Sequence, residues 1–304
     1  MNEKAIAIIL CLSVMLIFLF IVGAEFSNRG DYQFHYEKSK YLFENLRLNY
    51  APLGHILGFP FSWHPNLFFA YVLILTAFVT PMLLFLINNK WQTVLFYFAT
   101  QYFWFSLSTI SQTLAGIFLT AMLLTKNDYL RFLFFVLGTI SHSQGFILLG
   151  TTWIVLKIFE IDWKNMFLGC SVLSTALSGI TTPETQKAIL TPITTPIAGN
   201  AKFGVSIATI GNFFTKVMPF PFLFLGLIYL LRKNNIMPII LATLIGIGSV
   251  LSSSRVLFMI PLLIIPYSAS FVSEMRARNR LIMYGIALLL IAFQAYSWWL
   301  IKVC

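Results

Sequence analysis

Long, nearly uninterrupted apolar runs are the dominant pattern in this chain. A helix needs about 20 apolar residues to cross a bilayer, and most of these runs approach that length. They are continuous rather than alternating, which disfavours a membrane β-barrel. The predicted fold class is an all-α polytopic integral membrane protein, with one transmembrane domain over residues 1–304. About eleven helices are expected, near residues 5–25, 66–87, 91–107, 109–125, 129–141, 144–159, 165–180, 212–231, 236–252, 256–272 and 281–301.

Composition narrows the class of function further. Hydrophobic residues make up 59% of the 304 residues and charged residues only 10%, whereas soluble proteins are roughly 45–50% apolar and 25% charged. A soluble enzyme and a disordered chain are thereby excluded. The net charge is +10, but no basic run is interleaved with aromatic residues, so nucleic acid is not expected as a partner. The three cysteines form no Cys-x-x-Cys pair, and we expect neither a metal site nor a disulfide.

The basic residues alternate between the predicted turns in a way that indicates sidedness. With the N-terminus in the cytoplasm, most of the basic residues outside the inner turns fall in or beside two long outer segments, 27–65 and 181–204. The positive-inside rule then predicts a multi-pass protein of the cytoplasmic (inner) membrane. The inner side collects Lys4, Lys90, Lys126, Arg131, Lys157, Lys164, Arg232, Lys233, Arg276, Arg278 and Arg280.

The two outer segments differ in character. Residues 32–48 mix aromatic and charged side chains in a way that suits an interfacial helix, and residues 50–57 suit a second, shorter one. Asp31 follows a glycine and is predicted to stand at the N-cap of the first of these helices. Residues 181–204 are rich in Thr and Pro, which fits a lid, a substrate-lining loop or a linker equally well.

Four polar sites from distant parts of the chain fall on the predicted outer side. The carboxylate of Asp31 could act as a general base towards a sugar hydroxyl. Arg255 could hold the phosphate that leaves, or it could simply extend towards the interface. His142 could contact phosphate or sugar, carry a proton, or be an ordinary polar turn residue. Gln112, in the pair Ser111-Gln112, is the fourth outer polar site.

All four of these sites lie in three stretches that resemble the EpsG-like family of bacterial polysaccharide polymerases, relatives of the Wzy O-antigen polymerases. Residues 30–36 are similar to the family's Asp-aromatic-x-x-Tyr segment. Residues 110–115, the basic turn 126–131 and residues 141–143 are similar to its Arg-Gln-x-x-Ala helix, basic turn and x-His-Ser-x helix. Residues 254–258 are similar to its final Arg-aromatic segment.

One position departs from the family pattern. The family usually has an arginine before the glutamine, and this chain has Ser111 there. A phosphate contact is then missing, or Arg29 or Lys202 supplies it. Residues 48–53 also resemble the Tyr-x-Pro-Leu segment of the wider GT-C glycosyltransferases, which place an acidic residue and two interfacial helices between their first two spans.

Both resemblances imply sugar transfer on the extracytoplasmic face from a polyprenyl-phosphate- or diphosphate-linked donor to a glycan acceptor. They imply Asp31 as the catalytic residue, with Arg255, His142, Gln112, Tyr36, His35 and Tyr50 binding substrate. They imply no metal site in the protein and no obligatory cofactor, and they leave a divalent cation at the phosphates open. Other polysaccharide-assembly proteins are the expected partners, in exopolysaccharide or O-antigen synthesis.

Two alternatives remain open at the level of the sequence. The chain could add a single sugar, as GT-C enzymes do, or it could be a transporter or flippase for lipid-linked oligosaccharides. Transporters tend to show internal repeats and charged or broken helices at mid-membrane, and this chain has no evident repeat. It also has no Gly-x-Gly-x-x-Gly after a strand and no P-loop, which fits a lipid-linked donor better than a nucleotide sugar.

Overall fold

The computed structural model describes residues 2–22, 30–43, 52–107, 109–142, 145–160, 220–236, 238–240, 243 and 260–303. These residues form helices joined by turns, with no strand among them. The helices are α1 (Glu3–Ile17), α2 (Gly30–Lys40), α3 (Pro52–Gly58), α4 (Pro65–Leu73), α5 (Thr80–Asn88), α6 (Gln92–Phe98), α7 (Gln101–Ser106), α8 (Ile110–Leu124), α9 (Asp128–Ser141), α10 (Gly145–Glu160), α11 (Phe220–Arg232), α12 (Ile260–Glu274) and α13 (Ala277–Val303).

The all-α class is confirmed for this described part of the chain. Two helices are long and apolar enough to cross a membrane by length and composition, at Glu3–Phe20 and Pro65–Asn88, and a shorter apolar helix covers Ile110–Leu124. The count of eleven transmembrane helices stays a prediction. Residues 165–180 and most of 236–252, two of the expected helices, lie outside the described residues, as does the outer segment 181–204.

The second expected helix runs from Pro65 to Asn88 but widens into a π-turn at Ile74–Val79. Pro81 explains the widening, because it has no N–H to donate to the preceding turn. Side chains satisfy two of the carbonyl groups in this stretch. The Thr80 hydroxyl donates to Leu75 O at 2.8 Å, and the Tyr97 hydroxyl donates to Thr76 O at 2.8 Å.

The third expected helix, 91–107, is two helices rather than one. α6 ends at Phe98 and α7 begins at Gln101. At the break, both the N–H and the hydroxyl of Thr100 donate to Tyr97 O, at 3.1 and 2.7 Å. A threonine that bonds locally to the backbone offers the chain an alternative to the helical ladder, which apolar periodicity does not reveal.

Helices α8 and α9 form an antiparallel hairpin that positions the candidate site. Asn127 caps α9, since its side-chain oxygen accepts from Tyr129 N at 2.9 Å and Leu130 N at 3.2 Å. Phe118 stacks near Phe134 between the two helices, with ring centroids 6.2 Å apart. A helix of this length spans about 20 Å, so the two ends of the hairpin are well separated.

The two helices predicted for the first outer segment are present and pack on this hairpin. α3 lies against α8 and α9, and α2 packs on α3. The structure differs from the prediction in where α2 lies: it begins at Gly30, so that Asp31 falls in the first turn, and it ends at Lys40. Its buried side comprises Tyr32, His35 and Ser39.

Gly58 permits the close approach of α2, α3 and α4. A Cβ added there would lie 2.8 Å from a ring carbon of Phe68 and 2.9 Å from Ser39 Oγ, both too close for real contacts. Gly54, one turn earlier on α3, faces α8 with room to spare, since its nearest neighbour is a Leu114 methyl group at 3.5 Å. α3 is therefore packed tightly against α2 and α4 and less tightly against α8.

Candidate functional site

Two histidines of residues 27–65 are joined by a hydrogen bond, with their ring planes tilted by 39° and their centroids 5.2 Å apart. His35 on α2 and His55 on α3 share a hydrogen bond between Nδ1 of His35 and Nε2 of His55, at 2.9 Å. The other ring nitrogen of His35, Nε2, lies 3.4 Å from the hydroxyl of Ser111 in the first turn of α8. One bonded chain, Ser111–His35–His55, thus links three helices.

His142 closes the group from the end of α9. It follows the last helical residue, with its N–H donating to Gly138 O at 3.1 Å, and it lies near enough to affect the titration of His35. The side chains of His35, His55, Ser111 and His142 are each at most 6% exposed. We call these four residues the histidine cluster.

The imidazoles of His35 and His55 are neutral at physiological pH. Burial, and then the neighbouring His55 and His142, lower the pKa of His35 from its ordinary value to about 3. Burial, and then the positive charge of Lys38, lower the pKa of His55 to about 4. A buried imidazolium would lose its hydration without gaining a counter-charge, and this favours the neutral form.

The aromatic side chain of Phe34 borders the two imidazoles. The ring of Phe34 makes edge contacts with His35 and His55, at centroid distances of 5.5 and 6.1 Å, and it is partly open to the surroundings. The Lys38 ammonium lies 5.7 Å from the Phe34 centroid. The cluster is thus bordered by a partly exposed aromatic ring on α2.

The structure describes the other predicted site residues to different extents. Asp31 lies one helical turn before His35 on α2, and only its backbone is described. Tyr36 is partly buried and packs edge-on against Phe68, at 5.3 Å between centroids, which gives it a packing contact away from the cluster. Arg255 and Tyr50 lie outside the described residues.

Gln112 neighbours Ser111 in sequence but occupies another side of α8. Residues one position apart are turned by about 100° on a helix. Gln112 instead shares a helix face with Gly116, and Gly116 packs against the Tyr102 hydroxyl. Its side chain is buried, and its Oε1 has no donor among the described residues.

Sequence reasoning missed His55 and the part that Ser111 takes in the cluster. His55 lies in the short second helix, 20 residues from its partner, and no spacing rule connects the two. The available signal was compositional, because three of the four histidines lie in residues 27–65. Among the described residues, no group of three or more His, Cys, Asp or Glu has an arrangement that could hold a metal ion.

The opposite end of the hairpin is built from charges. The Lys157 ammonium of α10 pairs with the Asp128 carboxylate at the start of α9. The buried Arg131 donates from Nε to Thr125 O at 2.8 Å, and its Nη1 lies 3.8 Å from Asp128 Oδ1. This group, Asp128, Arg131 and Lys157, is called the basic end.

Other contacts join segments that the sequence analysis placed on the same inner side. Trp91 N donates to Glu3 Oε2 at 3.0 Å, which brings the chain's first helix beside the turn after α5. Lys233 lies 3.7 Å from Glu274. The amide of Asn88 donates to Ser270 Oγ at 3.1 Å.

Comparison with known proteins adds no relative. No protein-family model matches the chain, and neither the curated proteins nor the solved structures contain a match.

Proposed function

We propose that this chain is a multi-pass membrane glycosyltransferase of the polysaccharide-polymerase type, acting on the extracytoplasmic face. The donor is a sugar or oligosaccharide linked to a polyprenyl phosphate or diphosphate, and the acceptor is a second glycan. The observation that carries the proposal is the histidine cluster. It unites both helices of the first outer segment with the predicted outer ends of α8 and α9.

The cost of this arrangement supports a functional interpretation. Polar groups buried at the end of an apolar bundle lose their hydration, and apolar side chains would pack there without that loss. Three imidazoles and one hydroxyl are nevertheless brought together from α2, α3, α8 and the end of α9. Sites that bind or transform polar substrates retain such groups at a cost in stability.

The two ends of the α8–α9 hairpin support the proposed sidedness. Contacts at one end and beyond it join residues that charge alternation places inside, namely Glu3 with Trp91 and Asp128 with Lys157. The cluster lies about 20 Å away, at the other end. An N-terminus in the cytoplasm then puts the cluster outside.

The proposed reaction balances as a simple displacement. The oxygen of an acceptor hydroxyl forms a bond to the anomeric carbon of the donor, and the bond from that carbon to the phosphate oxygen breaks. The phosphate departs with the electron pair, and the hydroxyl proton passes to Asp31, the base. Arg255 stabilises the leaving phosphate, as a guanidinium suits two phosphate oxygens.

The test is the profile of lipid-linked saccharides in cells with and without the gene. A polymerase predicts that polymer is lost and that single complete repeats accumulate on the lipid. Accumulation of a repeat that lacks one sugar would instead identify a single-sugar transferase. Complete repeats that accumulate but resist a glycosidase added from outside would identify a flippase.

A further inference from the structure

The Ser111–His35–His55 chain has a property that an ion-pairing site lacks, because each of its members can both donate and accept a hydrogen bond. The His35–His55 bond at 2.9 Å uses one N–H and one lone pair, and either ring can supply the N–H. In one arrangement Ser111 donates to His35, and His35 donates to His55. In the other all the donors reverse, and the Ser111 hydroxyl keeps its own hydrogen to donate to a further acceptor.

We propose that the Ser111–His35–His55 chain is a subsite for an uncharged sugar ring, where it recognises ring hydroxyl groups, and that the donor's phosphate is held elsewhere. The inference rests on the proposed function and adds the chemistry of one subsite to it. A hydroxyl is itself both donor and acceptor, so it can pair with the chain in either of its two arrangements.

Charge argues against a phosphate at this position. The three side chains of Ser111, His35 and His55 carry no fixed positive charge, since burial keeps both imidazoles neutral. An anion brought beside these buried neutral groups would lose its hydration without an opposite charge to compensate. The nearby cation, Lys38, lies over the ring of Phe34.

The aromatic border supports a sugar. Phe34 contacts both imidazoles and is 41% exposed, so part of an apolar ring lies at the surface beside the polar groups. An apolar ring next to neutral donors and acceptors suits a pyranose, which has C–H groups on its faces and hydroxyls at its edge. A binding site of this kind combines apolar walls with a few convergent polar groups.

The test separates sugar recognition from phosphate recognition. Lipid-linked saccharide is extracted from cells that lack the gene and serves as the substrate for membranes that contain the full chain. Two inhibitors are compared: the free saccharide, released from the same extract by mild acid, and a polyprenyl phosphate of matching chain length. Because both come from the same extract, the free saccharide is identical to the sugar part of the lipid-linked substrate.

The variants are Ser111→Ala and His55→Asn, with Ser62→Ala and His64→Asn as controls. The Ser62 hydroxyl bonds to its own turn at Phe59 O, and the exposed His64 caps α4, so neither control residue belongs to the cluster. We expect both cluster variants to weaken inhibition by the free saccharide about tenfold, as befits the loss of a hydrogen bond in a buried site. Inhibition by the polyprenyl phosphate should stay unchanged, and the controls should change neither inhibition.

The opposite pattern overturns the inference. If the cluster variants weaken inhibition by the polyprenyl phosphate and spare that by the saccharide, the chain holds the phosphate. If folded variants change neither inhibition, the chain is purely structural. Should cells without the gene accumulate no lipid-linked saccharide, the proposed function itself fails, and that outcome is distinct from both.

Discussion

The two ends of the α8–α9 hairpin bury polar groups by opposite means. At the basic end, Lys157 and Arg131 are buried beside the Asp128 carboxylate, so charges are kept and compensated. At the other end, His35 and His55 keep no charge and share one hydrogen bond. A compensated charge holds helices together, whereas neutral groups with reversible donors suit a substrate that enters and leaves. We therefore propose that the basic end stabilises the helix packing and that the histidine cluster binds substrate.

The largest expected effect is on Asp31. The change Asp31→Asn keeps a side chain of nearly the same size and shape in the first turn of α2 but removes a base. We expect a loss of roughly 10²–10⁴-fold in transfer rate, with thermal stability close to that of the unchanged protein. The rate is measured on extracted lipid-linked saccharide, and the melting temperature on the purified chain. If more than about a tenth of the activity survives, Asp31 is not the base.

We expect a fall in pH to destabilise the histidine cluster before the basic end. Both imidazoles have a pKa in the folded chain below their ordinary value of 6.5, so the unfolded chain takes up protons first as the pH falls. The stabilisation from the neutral pair is complete above pH 6.5 and is lost as the pH falls, down to about 4 for His55 and about 3 for His35. The loss is up to about 1.4 kcal/mol per pH unit for each group.

Melting temperature against pH measures this loss, and His55→Gln should flatten the curve between pH 6.5 and 4. The matched change His64→Gln, at an exposed cap, should leave the curve as it is. An equal flattening by both variants would show that the cluster does not control acid stability.

At the basic end a single substitution should lower stability without altering chemistry. Asp128→Asn leaves the buried Lys157 without its carboxylate, and we expect about 2 kcal/mol of destabilisation. Replacing Lys157 by Met in the same chain should restore part of that loss. The transfer rate per folded molecule should be unchanged. A lower rate in a folded Asp128→Asn variant would show that the basic end also contributes to the reaction.

The smallest effect distinguishes two glycines of α3. Gly58→Ala forces a methyl group against Phe68 and Ser39, and overpacking of this kind costs about 1–3 kcal/mol. Gly54→Ala meets only ordinary contacts and improves helix propensity, so it should be neutral or slightly stabilising. Equal melting temperatures for the two variants would show that α3 is not held tightly against α2 and α4.

Sequence alone predicted the helical class and the two short helices within residues 27–65, because both follow from the local pattern of apolar and polar side chains. It did not predict the break at Thr100, which depends on a local hydroxyl bond. The His35–His55 pair was also out of reach, since its partners approach only after two short helices pack. Asp31, Gln112 and His142 were chosen as isolated polar residues, and of these His142 lies near enough to His35 to affect its titration.

The most direct test of the account is whether α2, which carries His35, and the start of α13, which is predicted to lie inside, face opposite sides of a membrane. Single cysteines replace Lys40 on α2 and Arg278 on α13, in a chain from which Cys11, Cys170 and Cys304 have been removed. A membrane-impermeant thiol reagent applied to intact cells should label position 40 alone, and both positions should react once the membrane is permeabilised. Labelling of both positions from the same side would contradict the sidedness, and with it the extracytoplasmic site.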